Sequence, residues 1–353
     1  MLNLCLTFDY ELFFGECKYS VEDVLLAPTR KIVSLLDNMG VEGTFFWDSA
    51  MCIRHREFGL DTIADSIDKQ MEYVFKCGHD VQLHIHPAWF KSVYNNKEWR
   101  FNNSYYRLHS FFDEMQDVQE IFQITKKYIE DVLKPLYIYY HCVAFRAGGF
   151  CIQPEKEILD IMEKCELRID SSVCKKLVAK TSSHYYDYSI TPKKCNWFFS
   201  KKSGICKEDK RGCFFEVPVG SVYKLPQKWI LVHGNPKLTR ERLKGKVSND
   251  TDIKNSRMKF LKKAKAFFSY GVMMSMDSSH YLTLKGMCDA YLNQFDCRNN
   301  DIYVCLIGHP KLFGESNFLN LEKFIHIMKA EYHDTVRFVT INDIYNKEVK
   351  DFR

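Results

Sequence analysis

The 353-residue chain sets 50 Lys and Arg against 45 Asp and Glu, a formal net charge of +5, with 46% hydrophobic and 15% aromatic residues. That balance describes a folded chain with a large core, and it gives no reason to expect disorder or nucleic-acid binding. No apolar run approaches the roughly 18 residues needed to cross a bilayer and no basic, then apolar, leader precedes the first strand, so a cytoplasmic protein without a transmembrane segment is expected. The 14 cysteines are scattered without a CxxC pair. Many stand in apolar runs, as Cys5, Cys142 and Cys305 do, which favours reduced, buried thiols over a disulfide framework. Cys195, Cys206 and Cys213 come nearest to a cysteine metal cluster, but their spacing is irregular.

Strand and helix patterns alternate from the start. The apolar run Leu2-Asn3-Leu4-Cys5-Leu6-Thr7-Phe8 predicts a strand that ends in Asp9-Tyr10-Glu11. Pro28-Thr29 opens an amphipathic helix that stops at Gly40, and Thr44-Phe45-Phe46-Trp47 reads as the second strand. A helix over about 60–77 ends at Gly78 and delivers a strand over 81–85, which runs into His84-Ile85-His86-Pro87. A polar, aromatic-rich connection precedes a helix over about 117–133. A strand over 142–145 follows and ends in Arg146-Ala147-Gly148-Gly149. Next come a helix over 154–165, a short strand over 167–169 and Asp170-Ser171-Ser172.

From about 174 to 270 the rhythm breaks into a lysine-rich, aromatic stretch holding a strand-like 213–219, read as an insertion within a single 1–353 domain. Strands over 272–276 and 302–307, helices over 282–295 and 319–328, and a strand over 336–340 complete the series, with Gly308-His309-Pro310 closing the most apolar strand. Repeated βα units with polar residues at the carboxyl ends of strands predict a parallel barrel or open parallel sheet with its site at that end.

Alternate side chains of a strand share a face, so Asp9 pairs with Glu11 and His84 with His86. Carboxylate and imidazole together suit zinc or a similar divalent ion. Amide hydrolysis at neutral pH needs a nucleophile, an electrophile for the developing oxyanion and an acid for the leaving amine. A divalent ion held by one carboxylate and two imidazoles supplies the first two requirements.

In order, Leu6-Thr7-Phe8-Asp9-Tyr10-Glu11, Gly78-His79-Asp80 with His84 and His86, Phe145-Arg146-Ala147-Gly148-Gly149, Asp170-Ser171-Ser172 and Leu306-Ile307-Gly308-His309 resemble the five motifs of the polysaccharide deacetylase (NodB-homology) family. The likeness is strongest to a WbmS- or WalW-like branch associated with capsule and O-antigen assembly, and it spans about residues 2–345. It implies an irregular (β/α)7 barrel with the lysine-rich segment inserted. It also implies metal-dependent removal of an acetyl group, foremost N-acetyl, from a sugar. Carried over by position, Asp9 resembles the general base, Glu11 the acidic metal ligand, His84 the first metal histidine, His309 the general acid and Arg146 the partner that keeps the base ionised. Asp170 is expected to orient His309. The family places its second metal histidine four residues after the first, where this chain has Ala88, so His86 takes that role. Zinc is the first expectation for the metal, with cobalt, manganese and nickel as alternatives. Trp89, Gly148 and Gly149 are expected to touch substrate, a saccharide that a nucleotide or lipid pyrophosphate could carry.

Each residue also has an ordinary structural reading. Asp9 and Asp170-Ser171-Ser172 could be caps, His84 and His86 satisfied core histidines, Gly148-Gly149 a tight turn and His309-Pro310 a turn. His79 reads as structural. Trp89, Trp99, Tyr105 and Tyr106 could stack on sugar rings or belong to the core. The basic stretches 193–210 and 237–265 could be solvated faces or meet an anionic group. Two rival functions stand beside deacetylation: another metal-dependent amidohydrolase or phosphoesterase, and a glycan-binding protein that has lost its second metal histidine.

Overall fold

The computed structural model describes residues 1–14, 19–112, 118–223 and 271–351. Strand β1, Leu2–Tyr10, is buried along its whole length, as a parallel strand covered on both faces must be. Helix α1, Ala27–Asn38, follows with Pro28 in its first turn and buries Ile32, Val33 and Leu36. The chain then forms β2, Thr44–Asp48, α2, Ser49–Glu57, α3, Asp61–Lys76, and β3, Asp80–Ile85. Helix α2 has no counterpart in the sequence expectation, because its hydrophobic residues show no helical periodicity. Helix α4, Val118–Leu133, leads to β4, Ala144–Ala147, and α5, Lys156–Lys164, to β5, Ile169–Asp170. Then come β6, Trp197–Phe199, β7, Phe214–Glu216, α6, Tyr281–Gln294, β8, Ile302–Gly308, α7, Glu315–Glu331, and β9, Val336–Phe338.

These nine strands form one curled sheet in the order β6-β7-β5-β4-β3-β2-β1-β8, with β9 paired to the first residues of β1. All neighbours are parallel except β6 on β7. The sheet closes where the extension of β7 meets β8: Gly220 N–H donates to the Cys305 carbonyl at 2.8 Å, and Cys305 N–H to that of Pro218 at 3.2 Å. Seven parallel strands therefore enclose an irregular (β/α) barrel, the expected fold. The lysine-rich stretch is only partly an insertion, because it contributes β6 and β7 to the sheet and makes the closure. The basic run 237–265 lies outside the described residues.

Two apolar layers hold the barrel. Inside, Cys5, Phe46, Ala144, Ile169, Phe215, Val217, Cys305 and Ile307 fill the lumen, and Ile341, Ile344 and Val349 plug its amino-terminal end. Outside, Leu4, Leu6, Phe8, Phe45, Leu83 and Phe145 lie beneath the helices. Each such side chain, fully withdrawn from water, contributes about 1.5–3 kcal/mol before conformational entropy is charged against it. Strand parity sets the rest: residues on the lumen face beyond the inner core are those that reach the carboxyl-terminal mouth. Among the described residues no helix is long and apolar enough to cross a membrane.

Candidate metal and proton-transfer site

The carboxyl ends of four strands deliver the site. Asp9 stands near the end of β1, with Glu11 just beyond it. His84 lies near the end of β3 opposite Arg146 of β4, and His309 follows β8. Glu11, His84 and His86 each offer one donor atom, and the three atoms lie within 4.8 Å of one another. Glu11 Oε2 is 3.5 Å from His84 Nε2 and in closer contact with His86 Nε2. His84 Nδ1 bonds the Arg146 carbonyl at 2.8 Å; a carbonyl can only accept, so Nδ1 carries the hydrogen and neutral His84 aims the Nε2 lone pair at the site. Both His84 Nε2 and Glu11 Oε2 are buried without a hydrogen-bond partner of good geometry. Burial disfavours the His84 imidazolium, but the Asp9 and Glu11 carboxylates outweigh that effect and raise its pKa to about 9. Buried donors that attract a positive charge and lack partners fit a divalent cation.

Asp9 is divided between two tasks. Its Oδ1 accepts from Arg146 Nη1 at 2.5 Å, while Oδ2 turns to the mouth, 3.9 Å from His84 Nε2 and 3.8 Å from His309 Nε2. Burial would raise the Asp9 pKa, yet Arg146, followed by His84 and His309, holds it below the usual carboxylate value. Arg146 is itself fully buried. It also donates to Thr7 Oγ1 at 3.0 Å, to the Ser171 carbonyl at 2.9 Å and to Ser171 Oγ at 2.9 Å.

His309 is oriented by Asp277, a residue absent from the sequence reading. Asp277 Oδ2 lies 2.6 Å from His309 Nδ1, and its Oδ1 accepts the His309 backbone N–H at 2.9 Å. Burial would lower the His309 pKa, but Asp277, with Asp9 and Glu11 behind it, raises it above the ordinary value. The signal was present, since Asp277 closes the extended segment over 272–276. Lys311 and Asp48 were missed as well. Lys311 Nζ sits 2.8 Å from Glu11 Oε1 and donates to the Leu12 carbonyl at 2.9 Å, leaving Oε2 to face the imidazoles. Asp48 accepts the Trp89 indole N–H at 2.9 Å, and burial raises its pKa to about 7.

One expected role is corrected, and three other expected residues are packed by protein groups. Asp170 does not orient His309. It lies on the outer face of the sheet, one residue out of phase with the lumen residue Ile169, beside Glu216 of β7. Its carboxylate accepts the Ser172 N–H at 2.7 Å and hydroxyl at 2.8 Å. Trp89 is completely buried, its indole N–H held by Asp48. Gly148 and Gly149 make room for protein groups. A Cβ on Gly148 would stand 2.6 Å from His86 Nδ1, and one on Gly149 would stand 2.8 Å from the His184 ring. Ala88 is buried in the turn Pro87–Lys91, and His86 occupies the site.

His79 lies away from the mouth, its Nδ1 accepting the Gly43 N–H at 3.1 Å. Among the described residues Cys195, Cys206 and Cys213 form no metal-binding group. Lys194 pairs with Glu208 and Lys201 with Asp160 and Glu163, so part of the basic run 193–210 is already neutralised.

No family model and no curated protein matches the chain. Solved structures do. A protein from Mycobacterium smegmatis described as a polysaccharide deacetylase superposes with a TM-score of 0.50 at 15% identity, over 99% of this chain and 90% of its own. PuuE allantoinase superposes with a TM-score of 0.49 at 13% identity, over 98% and 88% of the two chains. A Pseudomonas aeruginosa PAO1 protein, also described as a polysaccharide deacetylase, gives 0.47 at 13% identity, over 98% and 91%. The barrel is thus of the polysaccharide-deacetylase type in its fold.

Proposed function

We propose that the chain is a metal-dependent hydrolase that removes an acetyl group, most simply N-acetyl, from a saccharide. The observation that carries this reading is the convergence of Glu11, His84 and His86 with Asp9 and His309, whose facing carboxylate and imidazole atoms lie within 4 Å of the ligand group. The fold shared with a protein described as a polysaccharide deacetylase supports the substrate class.

Glu11 Oε2, His84 Nε2 and His86 Nε2 would hold the divalent ion, which when bound polarises the acetyl carbonyl and acidifies water. The chain's own groups divide the remaining work. Asp9, ionised and fixed through Oδ1 by Arg146, takes at Oδ2 the proton of the water whose oxygen attacks the carbonyl carbon. His309, protonated and aligned by Asp277, gives its Nε2 proton to the sugar nitrogen as the carbon–nitrogen bond breaks. Acetic acid and a free amine leave, the acid ionises to acetate by losing its proton to solvent or to the amine, and Asp9 loses and His309 regains a proton by exchange with solvent. Lys311 offsets the second negative charge of the Asp9 and Glu11 pair.

Acetate release from a panel of free, nucleotide-linked and lipid-linked N-acetyl sugars, with metal content measured on the same preparations, tests this reading. His309→Ala is expected to abolish release while metal remains bound, and Glu11→Ala with His84→Ala to lose the metal. Release at the wild-type rate by His309→Ala, or stoichiometric metal in the double variant, would overturn the assignment.

A further inference from the structure

We propose that Lys311 is a positioning residue that keeps Glu11 a one-oxygen metal ligand, an inference that rests on the metal-dependent reading above. Glu11 lies one residue beyond β1, and Lys311 sits in the turn Pro310–Leu312 that follows His309. The two meet across the mouth, with Lys311 Nζ 2.8 Å from Glu11 Oε1. Lys311 is only 7% exposed, donates to the Leu12 carbonyl at 2.9 Å and has the Phe13 and Phe14 rings 5.2 and 5.5 Å from its ammonium. A cation enclosed in this way keeps its carboxylate partner, because parting them would strand two charges away from water.

The two oxygens of Glu11 thereby receive different tasks. Oε2 has the Nε2 atoms of His84 and His86 before it and no hydrogen-bond partner of good geometry, whereas Oε1 faces Lys311 and lies 3.6 Å from His309 Nε2. A carboxylate with both oxygens free can close on a divalent ion through either one or both. The ammonium on Oε1 holds that oxygen back, so Glu11, His84 and His86 supply three donor atoms and the other positions stay open to exchangeable ligands. Lys311 serves this opening at a cost in affinity, since it places a positive charge beside a site built for a cation.

The test loads the metal-free full chain with Co2+, whose visible absorption weakens as its coordination number rises, and titrates it calorimetrically with Zn2+. Lys311→Met keeps an unbranched side chain beside Phe13 and Phe14 and frees Oε1. Its absorption per bound Co2+ is expected to fall by about threefold or more, while its Zn2+ affinity rises about tenfold because a like charge is gone and a second oxygen is gained. Lys311→Arg keeps a cation on Oε1 and is expected to retain the wild-type absorption. A lysine that only supported the local fold would lower the affinity when removed. Unchanged absorption, or weakened Zn2+ binding, in a Lys311→Met protein that keeps the wild-type circular dichroism overturns the proposal. So does wild-type protein whose Co2+ absorbs as weakly as the aqueous ion, whether or not the variants fold. A wild-type chain that binds no Co2+ would remove the metal reading and this proposal with it. Both readouts are taken without turnover, so failure to release acetate would sink the hydrolase reading alone.

Discussion

The carboxylate of Asp277 lies 2.6 Å from His309 Nδ1, and that bond fixes which nitrogen of His309 faces Asp9 and Glu11. In the proposed reaction the base works ionised and the acid protonated. Asp9 sits below the ordinary carboxylate pKa and His309 above the ordinary imidazole value, so the active window opens below the usual acidic limit and extends past pH 6.5 on the alkaline side. Asp277→Asn removes the charge that holds the His309 proton. The alkaline limb of the kcat/KM profile is expected to move toward lower pH, with a rate loss of about a hundredfold or more. An unmoved limb would show that Asp277 does not tune His309.

Gly148 is where this chain accommodates a histidine two residues, not four, after His84. A methyl group at Gly148 would meet His86 Nδ1 at 2.6 Å and the Ile85 carbonyl at 2.7 Å. Gly148→Ala should therefore displace the His86 ring and weaken metal binding by about tenfold or more, the scale of lost support around a metal ligand. Calorimetric titration of the metal-free protein with Zn2+ measures it. Wild-type affinity would mean that His86 is not a ligand.

Arg146 couples the site to stability. It is fully buried, and Arg146→Met would leave Asp9 and Ser171 without their partner inside the barrel. Removing one member of a buried ion pair costs about 3–5 kcal/mol, so a large fall in Tm is expected together with loss of turnover. Urea unfolding at neutral pH would read it. A change under about 1 kcal/mol would contradict the buried-pair description.

The Asp170 and Glu216 pair makes a pH prediction. Burial raises Asp170 to about 6, and burial with the Asp170 charge raises Glu216 well above its ordinary value. Groups whose pKa is higher in the folded state bind protons more tightly there, so their contribution is complete below the unfolded carboxylate pKa near 4 and is lost as pH rises through the folded values. Glu216→Gln mimics the protonated acid and removes its share of that loss. Its Tm is expected to fall less than that of the wild type as pH rises from about 4. Parallel melting curves for the two proteins would refute this.

The sequence by itself determined most of the strands, their polar carboxyl ends and the pairing of Asp9 with Glu11 and of His84 with His86, because two-residue parity and the βα alternation are local properties written along the chain, whereas Arg146 and His309 joined them only through the resemblance of the ordered motifs to the polysaccharide deacetylase family. It did not determine which polar residues meet across the barrel. Asp170 and Asp277 both follow extended segments and look alike in the sequence. Only the closed sheet shows that one-residue phase sends Asp170 outward to Glu216, while the approach of the 272–277 segment to β8 puts Asp277 on His309. The room that Gly148 leaves for His86, the burial of Trp89 and the charge of Lys311 on Glu11 likewise join residues from separate elements. Such contacts depend on register and barrel closure between distant parts of the chain, which no local pattern encodes.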